Sequence, residues 1–152
     1  MMNGIRLVLT DAIHASLREH LFPGDGKEAA AILLCNRYEG DSMKLLAKEF
    51  ILVPYDECKV RTEVAITWPG IYLEAAIDRA EAKSMTIILV HSHPGGCLEF
   101  SDIDDQSDLG TMESLYEGVE AIHGSAIMVK TGEMRARLYL GRDMVGPVEL
   151  VT

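Results

Sequence analysis

The spacing of apolar residues changes several times along the chain, and each change marks an element. Ile5 to Leu9 predicts a strand. Thr10 then precedes Ile13, Leu17 and Leu21, which recur at helical spacing. A helix is expected from about Asp11 to Leu21 with Thr10 as its cap. Phe22-Pro-Gly-Asp-Gly26 ends it. Glu28-Ala-Ala-Ala-Ile-Leu-Leu-Cys35 is continuously apolar after the glutamate. Its length and Gly-rich entry favour a buried strand, although three alanines leave a helix open. Tyr38-Glu-Gly-Asp41 predicts a hairpin turn into a second strand, about Lys44 to Val53. Pro54 to Trp68 reads as irregular or partly extended.

Pro69 suits the first turn of a helix running to about Ser84, with Leu73, Ala76, Ile77 and Ala80 as its buried stripe. Met85 to Val90 is β-branched and apolar, the clearest strand in the chain, and it is expected to stop at His91. After a loop to Phe100, Ser101 opens another helix. Asp102, Asp104 and Asp105 load its first turn with negative charge, as the helix dipole prefers. Ser125 to Lys130 and Arg135 to Leu140 predict a hairpin around Thr131-Gly132, and Met144 to Val151 a last strand. This alternation predicts an α/β or α+β domain around one sheet.

Length and charge narrow the function. The chain has 152 residues, one domain's worth of sequence, so residues 1–152 are expected to form a single domain. A net charge of −10 lacks the basic footprint that phosphate backbones require, so no nucleic-acid partner is expected. No apolar run approaches the about 20 residues of a membrane span. Met1 to Thr10 lacks the pattern of a signal peptide, so a cytoplasmic protein with no membrane partner is expected. Cys35, Cys58 and Cys97 are an odd number with wide spacing, which predicts reduced thiols rather than a disulfide framework or thiolate metal knuckle.

The chemistry concentrates in His91-Ser-His-Pro-Gly-Gly-Cys-Leu-Glu-Phe-Ser-Asp-Ile-Asp104. In extended structure His91 and His93 lie on one face and Ser92 on the other, so two imidazoles can meet one metal ion. Pro94-Gly95-Gly96 turns the chain back, and a helix beginning near Ser101 can present Asp104 to the same ion. Two nitrogens and a carboxylate oxygen are a three-ligand zinc set that leaves a fourth position for water. Taken alone, Ser101 and Asp104 are also adequately explained as a capping box. It is the conjunction, directly after the most buried strand, that singles the segment out.

His91-Ser92-His93, seven residues from Pro94 to Phe100, then Ser101-x-x-Asp104, resembles the complete motif of the JAMM (MPN+) metalloproteases. Glu28, at the start of a buried strand, fits the upstream glutamate of that family. The likeness covers nearly the whole chain and implies the MPN fold, a cytidine-deaminase-like central mixed sheet flanked by helices. It implies that His91, His93 and Asp104 hold Zn2+ and that a bound water completes the set. Glu28 is then the proton acceptor for that water, and Ser101 a donor to the oxyanion of the attacked carbonyl. The implied substrate is the amide bond after the C-terminal glycine of a ubiquitin-like protein, in a conjugate or a precursor. The implied partners are that protein, its conjugates, and activating-enzyme-like or conjugating-enzyme-like proteins of the same operon. Asp25-Gly-Lys before Glu28, Val53-Pro-Tyr-Asp and Thr67-Trp-Pro are similar to compact bacterial members encoded beside such genes.

Other readings share these residues. One is a peptidase acting on sulfur-carrier adducts or on cell-wall peptides. A non-catalytic MPN scaffold typically loses ligands, and none is lost here. A RadC-like protein linked to DNA shares the His-x-His-Pro and a downstream aspartate, but the acidic charge opposes it. Cys97 lies inside the metal loop. The histidines that a thiol nucleophile would need are committed to metal, so Cys97 is expected to be dispensable to the chemistry.

Overall fold

Residues 4–151 are described by a computed structural model. In chain order its elements are β1 (Ile5–Val8), α1 (Asp11–Leu21), β2 (Ala30–Glu39), β3 (Met43–Leu52), β4 (Val60–Arg61), β5 (Ile66–Thr67), α2 (Ile71–Lys83), β6 (Thr86–Ser92), α3 (Asp102–Gly118), β7 (His123–Met128), β8 (Met134–Leu140) and β9 (Asp143–Val151). The long apolar run in β2 dictates the architecture. Ala31, Leu33 and Cys35 join Leu17 and Leu21 of α1 in one core. Ile32 and Leu34 point the other way and meet Ala76 and Ala80 of α2 and Met112 and Leu115 of α3. A strand that is apolar on both faces needs cover on both, and the three helices supply part of it.

Seven strands run in the order β1-β3-β2-β6-β7-β8-β9, and β1 pairs β9 in parallel, so the sheet curls into a closed barrel. The sheet is mixed. β1/β3 and β6/β7 are parallel, whereas β2/β3, β2/β6, β7/β8 and β8/β9 are antiparallel. Closure leaves no free edge in this sheet, which suits a chain whose first strand has only four residues. Gly124 of β7 permits one close approach, because a Cβ there would collide with the Arg137 carbonyl oxygen of β8. Among the described residues no helix is long and apolar enough to cross a membrane.

The predicted elements are present with shifted ends. The run at Glu28 is a strand, not a helix. It begins at Ala30 and leaves the glutamate just outside the ladder. The helix expected from Pro69 begins at Ile71, capped by Gly70. The strand expected to stop at His91 continues to Ser92, because Ala30 of β2 pairs with His91. Within the irregular stretch lie a short 3-10 turn at Tyr55–Glu57 and the β4–β5 hairpin. That hairpin forms a separate two-stranded sheet.

His123, buried at the start of β7, links two turns of the chain. Its Nδ1 accepts from the Ile87 N–H at 2.9 Å and its Nε2–H donates to the Val119 carbonyl at 2.8 Å. Both nitrogens are used by the neutral ring, and burial holds its pKa below the ordinary 6.5. The unfolded chain therefore binds this proton at a higher pH than the folded one. The full contribution of His123 to stability is present above about pH 6.5 and is lost as pH falls through the folded-state value. Denaturant midpoints should drop as pH is lowered below 6.5, and His123→Gln should flatten that slope while lowering stability near neutral pH. An unchanged slope in the variant refutes the assignment.

Candidate metal centre

Three segments meet at one end of the sheet. β2 and β6 are antiparallel, so the start of β2 lies beside the end of β6, with Ala30 opposite His91. Ser92 fastens the junction. Its N–H donates to the Ala29 carbonyl at 3.0 Å, and its buried Oγ accepts from the Ala29 N–H at 2.9 Å. Glu28 is thereby placed next to His91, and its own N–H donates to the Thr62 carbonyl beside β4 at 2.7 Å. The chain then turns back at Pro94-Gly95-Gly96, where the Gly96 N–H donates to the His93 carbonyl at 3.0 Å. Gly96 takes φ of +87°, a conformation that side chains with a Cβ rarely adopt.

The helix that returns the third group is capped by that group. The Ser101 Oγ accepts from the Asp104 N–H at 3.1 Å, and Asp104 Oδ2 accepts from the Ser101 N–H at 2.9 Å. This reciprocal box fixes the Asp104 rotamer at the start of α3. The capping role of Ser101 and Asp104 is real, and it also aims the carboxylate.

His91, His93 and Asp104 converge, with ligand atoms that lie within 4.8 Å of one another. The two Nε2 atoms are 3.1 Å apart. His91 Nε2 is 3.0 Å from Asp104 Oδ1, and His93 Nε2 is 3.1 Å from Asp104 Oδ2. The Cys97 carbonyl lies 2.8 Å from His93 Nδ1. A carbonyl can only accept, so Nδ1 carries the hydrogen and the neutral ring turns a bare Nε2 lone pair toward the carboxylate. Lone pairs facing lone pairs repel unless a cation sits among them. A proton is one such cation, and a divalent metal bound by two imidazoles and a carboxylate is another. The donor set therefore fits a metal ion, with Cys97 contributing its backbone to orient a ligand.

The electrostatics carry the same signature. Burial pushes Asp104 upward, but hydrogen bonds from His91 and His93 and their charge outweigh it and hold the carboxyl well below the usual range. His93 is raised by its bond to Asp104, against the lowering effect of burial. Glu28 is only 5% exposed, and burial pushes its pKa up, partly offset by His91 and His93. Glu28, His91 and Asp104 line one cavity of about 260 Å³ that runs between the β4–β5 hairpin and α3.

Every expected site residue lies in this region. Glu28 and Ser101 flank the three converging groups. Cys97 is an exposed thiol on the loop, Cys35 is buried, and both are free, as is Cys58. Sequence reading missed the brace behind the site. Arg137 of β8 donates to Asp105 Oδ1 at 2.7 Å and to Asp108 Oδ2 at 2.8 Å, and its guanidinium lies 3.7 Å from the centre of the Phe100 ring. It thus pins the first turns of α3 and the end of the metal loop to the barrel. The available signal was the i, i+3 spacing of Asp105 and Asp108 on one helix face.

A curled mixed sheet with three helices, carrying a His-x-His strand end and a capped aspartate, defines a JAMM/MPN-type domain. The family model described as prokaryotic homologs of the JAB domain matches residues 10–139, and the chain belongs to that family. The sequence matches none of the curated proteins. Among solved structures it is similar to the solution structure of protein DSY2949 from Desulfitobacterium hafniense. That likeness has a TM-score of 0.64 at 13% identity and covers 95% of this chain and 91% of the other. At that identity the likeness shows the fold.

Purified protein should bind one divalent transition-metal ion per chain. At free metal about 100-fold above Kd the folded state should gain about 2.7 kcal/mol, read as a rise in Tm. Affinity should weaken as pH falls, since ligating histidines must be neutral. His93→Ala should lose most of the metal and the thermal shift. A wild-type Tm indifferent to metal would contradict the site.

Proposed function

We propose that the protein is a zinc-dependent peptidase or isopeptidase. In this reading it hydrolyses the amide bond after the C-terminal glycine of a ubiquitin-like protein, in a conjugate or a precursor. The observation that carries the reading is the convergence of His91, His93 and Asp104 beside a buried carboxylate, with Glu28, His91 and Asp104 lining one cavity. Membership of a family that includes zinc isopeptidases supports it. The partners that follow are the ubiquitin-like protein, its conjugates and the enzymes that activate or conjugate it.

His91, His93 and Asp104 would hold the zinc, and the ion supplies a Lewis acid and a water whose pKa falls toward about 7. The remaining work is done by the chain. Glu28 accepts a proton from the attacking water and delivers it to the nitrogen of the leaving amine. Its burial raises its proton affinity, which suits a group that must both take and return a proton. The Ser101 Oγ already accepts from the Asp104 N–H, so its hydroxyl hydrogen is available to a developing oxyanion. The substrate tail lies extended in the cavity alongside the β4–β5 hairpin, where a strand edge can pair with it. Glycine next to the scissile bond lets the backbone approach the crowded ligand set.

Glu28→Gln should retain metal and lose turnover by about 100-fold or more. Ser101→Ala should cost about 100- to 1000-fold in kcat through the oxyanion and about 1 kcal/mol in stability through the cap. A variant that melts lower but turns over normally would leave Ser101 as a cap alone. Cys97→Ala should keep metal and most of the turnover, and a chelator should abolish it. A Cys97→Ala protein that is inactive while loaded with zinc would make this a thiol enzyme and overturn the reading.

A further inference from the structure

The cavity wall holds a fixed acceptor that the proposed hydrolysis does not use. Asp108 is 8% exposed and lines the cavity with Ser107, Thr111 and Ser125. Its two carboxylate oxygens are treated very differently. Oδ2 accepts from Ser125 Oγ at 2.6 Å, Arg137 Nη2 at 2.8 Å, Arg137 Nε at 3.1 Å and the Tyr139 hydroxyl at 3.3 Å. Among the described residues no donor reaches Oδ1. Oδ1 is not shut away from solvent, so it is an acceptor held in place at the cavity wall with an open valence. The four donors on Oδ2 fix the side chain, so the freedom a ligand would otherwise have to remove has already been lost on folding.

We propose that Asp108 is a specificity-determining residue whose Oδ1 accepts a hydrogen bond from an N–H of the substrate tail, about two residues from the scissile bond. The inference rests on the peptidase reading above. Asp104 and Asp108 are one helical step of about 6 Å apart along α3, and an extended peptide covers that distance in about two residues. The helix wall has no free backbone carbonyls here, since they are bonded within α3, so a tail lying against it finds acceptors only in side chains. The charge of the cavity favours a cationic donor. Glu28, Asp104 and Asp108 line it, and no lysine or arginine does. Arg137 sits behind the wall and divides its single charge between Asp105 and Asp108, so that cluster keeps a net negative charge. A lysine or arginine side chain of the tail matches this best, and a backbone amide offers the same N–H chemistry without the charge.

The cage around Oδ2 makes Asp108→Asn informative. Four donors require an acceptor at that place, so the amide oxygen takes it and the amide NH2 faces the cavity. The variant replaces an acceptor by a donor while the contacts to Arg137, Ser125 and Tyr139 remain. Three probes suffice. They are acetyl-Leu-Lys-Gly-Gly, the same peptide with norleucine for lysine, and a depsipeptide with an ester oxygen for the N–H of the third residue from the scissile bond. Each is used as a labelled acid for anisotropy on zinc-loaded protein and as an aminocoumarin amide for turnover.

Wild-type protein should bind the lysine probe about tenfold or more tighter than the norleucine probe, the strength of a charge-assisted hydrogen bond. Asp108→Asn should erase that preference at full zinc content. If lysine and norleucine bind alike and only the ester weakens wild type, with no effect in Asp108→Asn, the donor is the backbone amide and the proposal holds in that form. Equal binding of all three probes by wild type overturns the proposal without recourse to any variant. So does the absence of binding, or an Asp108→Asn protein indistinguishable from wild type. Turnover that ignores Asp108 removes this inference and leaves the hydrolysis standing. Asp108-dependent binding without turnover does the reverse.

Discussion

The site depends on one strand pairing. β2 and β6 run antiparallel with Ala30 opposite His91, so the residue before one strand and the last residues of the other share a corner of the sheet. Both strands are apolar on both faces, and a slip of one residue would send each side chain into the opposite core. The register that places Glu28 beside His91 is therefore held by many buried side chains far from the chemistry. Ser92 adds a local lock by accepting from the Ala29 N–H, which keeps Glu28 close even though it lies outside the ladder.

What that corner holds is a set of ligand atoms crowded around one point. Two imidazole nitrogens and a carboxylate converge, and the Cys97 carbonyl forces His93 into the tautomer that turns a lone pair inward. Several independent contacts keep them there. The Ser101–Asp104 box orients the carboxylate, the turn at Gly96 directs the loop, and Arg137 ties Phe100, Asp105 and Asp108 to β8. This preorganisation gives a cation a ready set of ligands, so binding it requires little rearrangement.

Much of this arrangement was readable in advance because periodic burial and metal-ligand chemistry leave local marks. The 3.6-residue stripe of Ile13, Leu17 and Leu21 and the β-branched run before His91 identify their elements without any partner in view. The His-x-His pair followed by Ser101-x-x-Asp104 names its own chemistry, since those residue types at that spacing suit a strand end and a helix cap. Element ends were less accurate. β6 runs on to Ser92 because β2 and β7 are there to pair with its end, and α2 starts after Gly70 rather than at Pro69.

The chain by itself determined where the elements lie, which residues could hold a metal ion and that the whole is acidic. Tertiary structure decided how they meet. Closure of the sheet by β1 against β9 joins segments from the two ends of the chain, and no local pattern encodes a pairing so distant. The same holds for Asp108. In sequence it is one of four aspartates near the start of a helix, with nothing to set it apart from the three that the helix dipole favours in the first turn. Only the approach of β7 and β8, with Ser125, Arg137 and Tyr139, ties up one of its oxygens and leaves the other to the cavity. Backbone periodicity acts between neighbours, whereas hydrogen-bond satisfaction in a buried site depends on whatever strand the fold brings alongside.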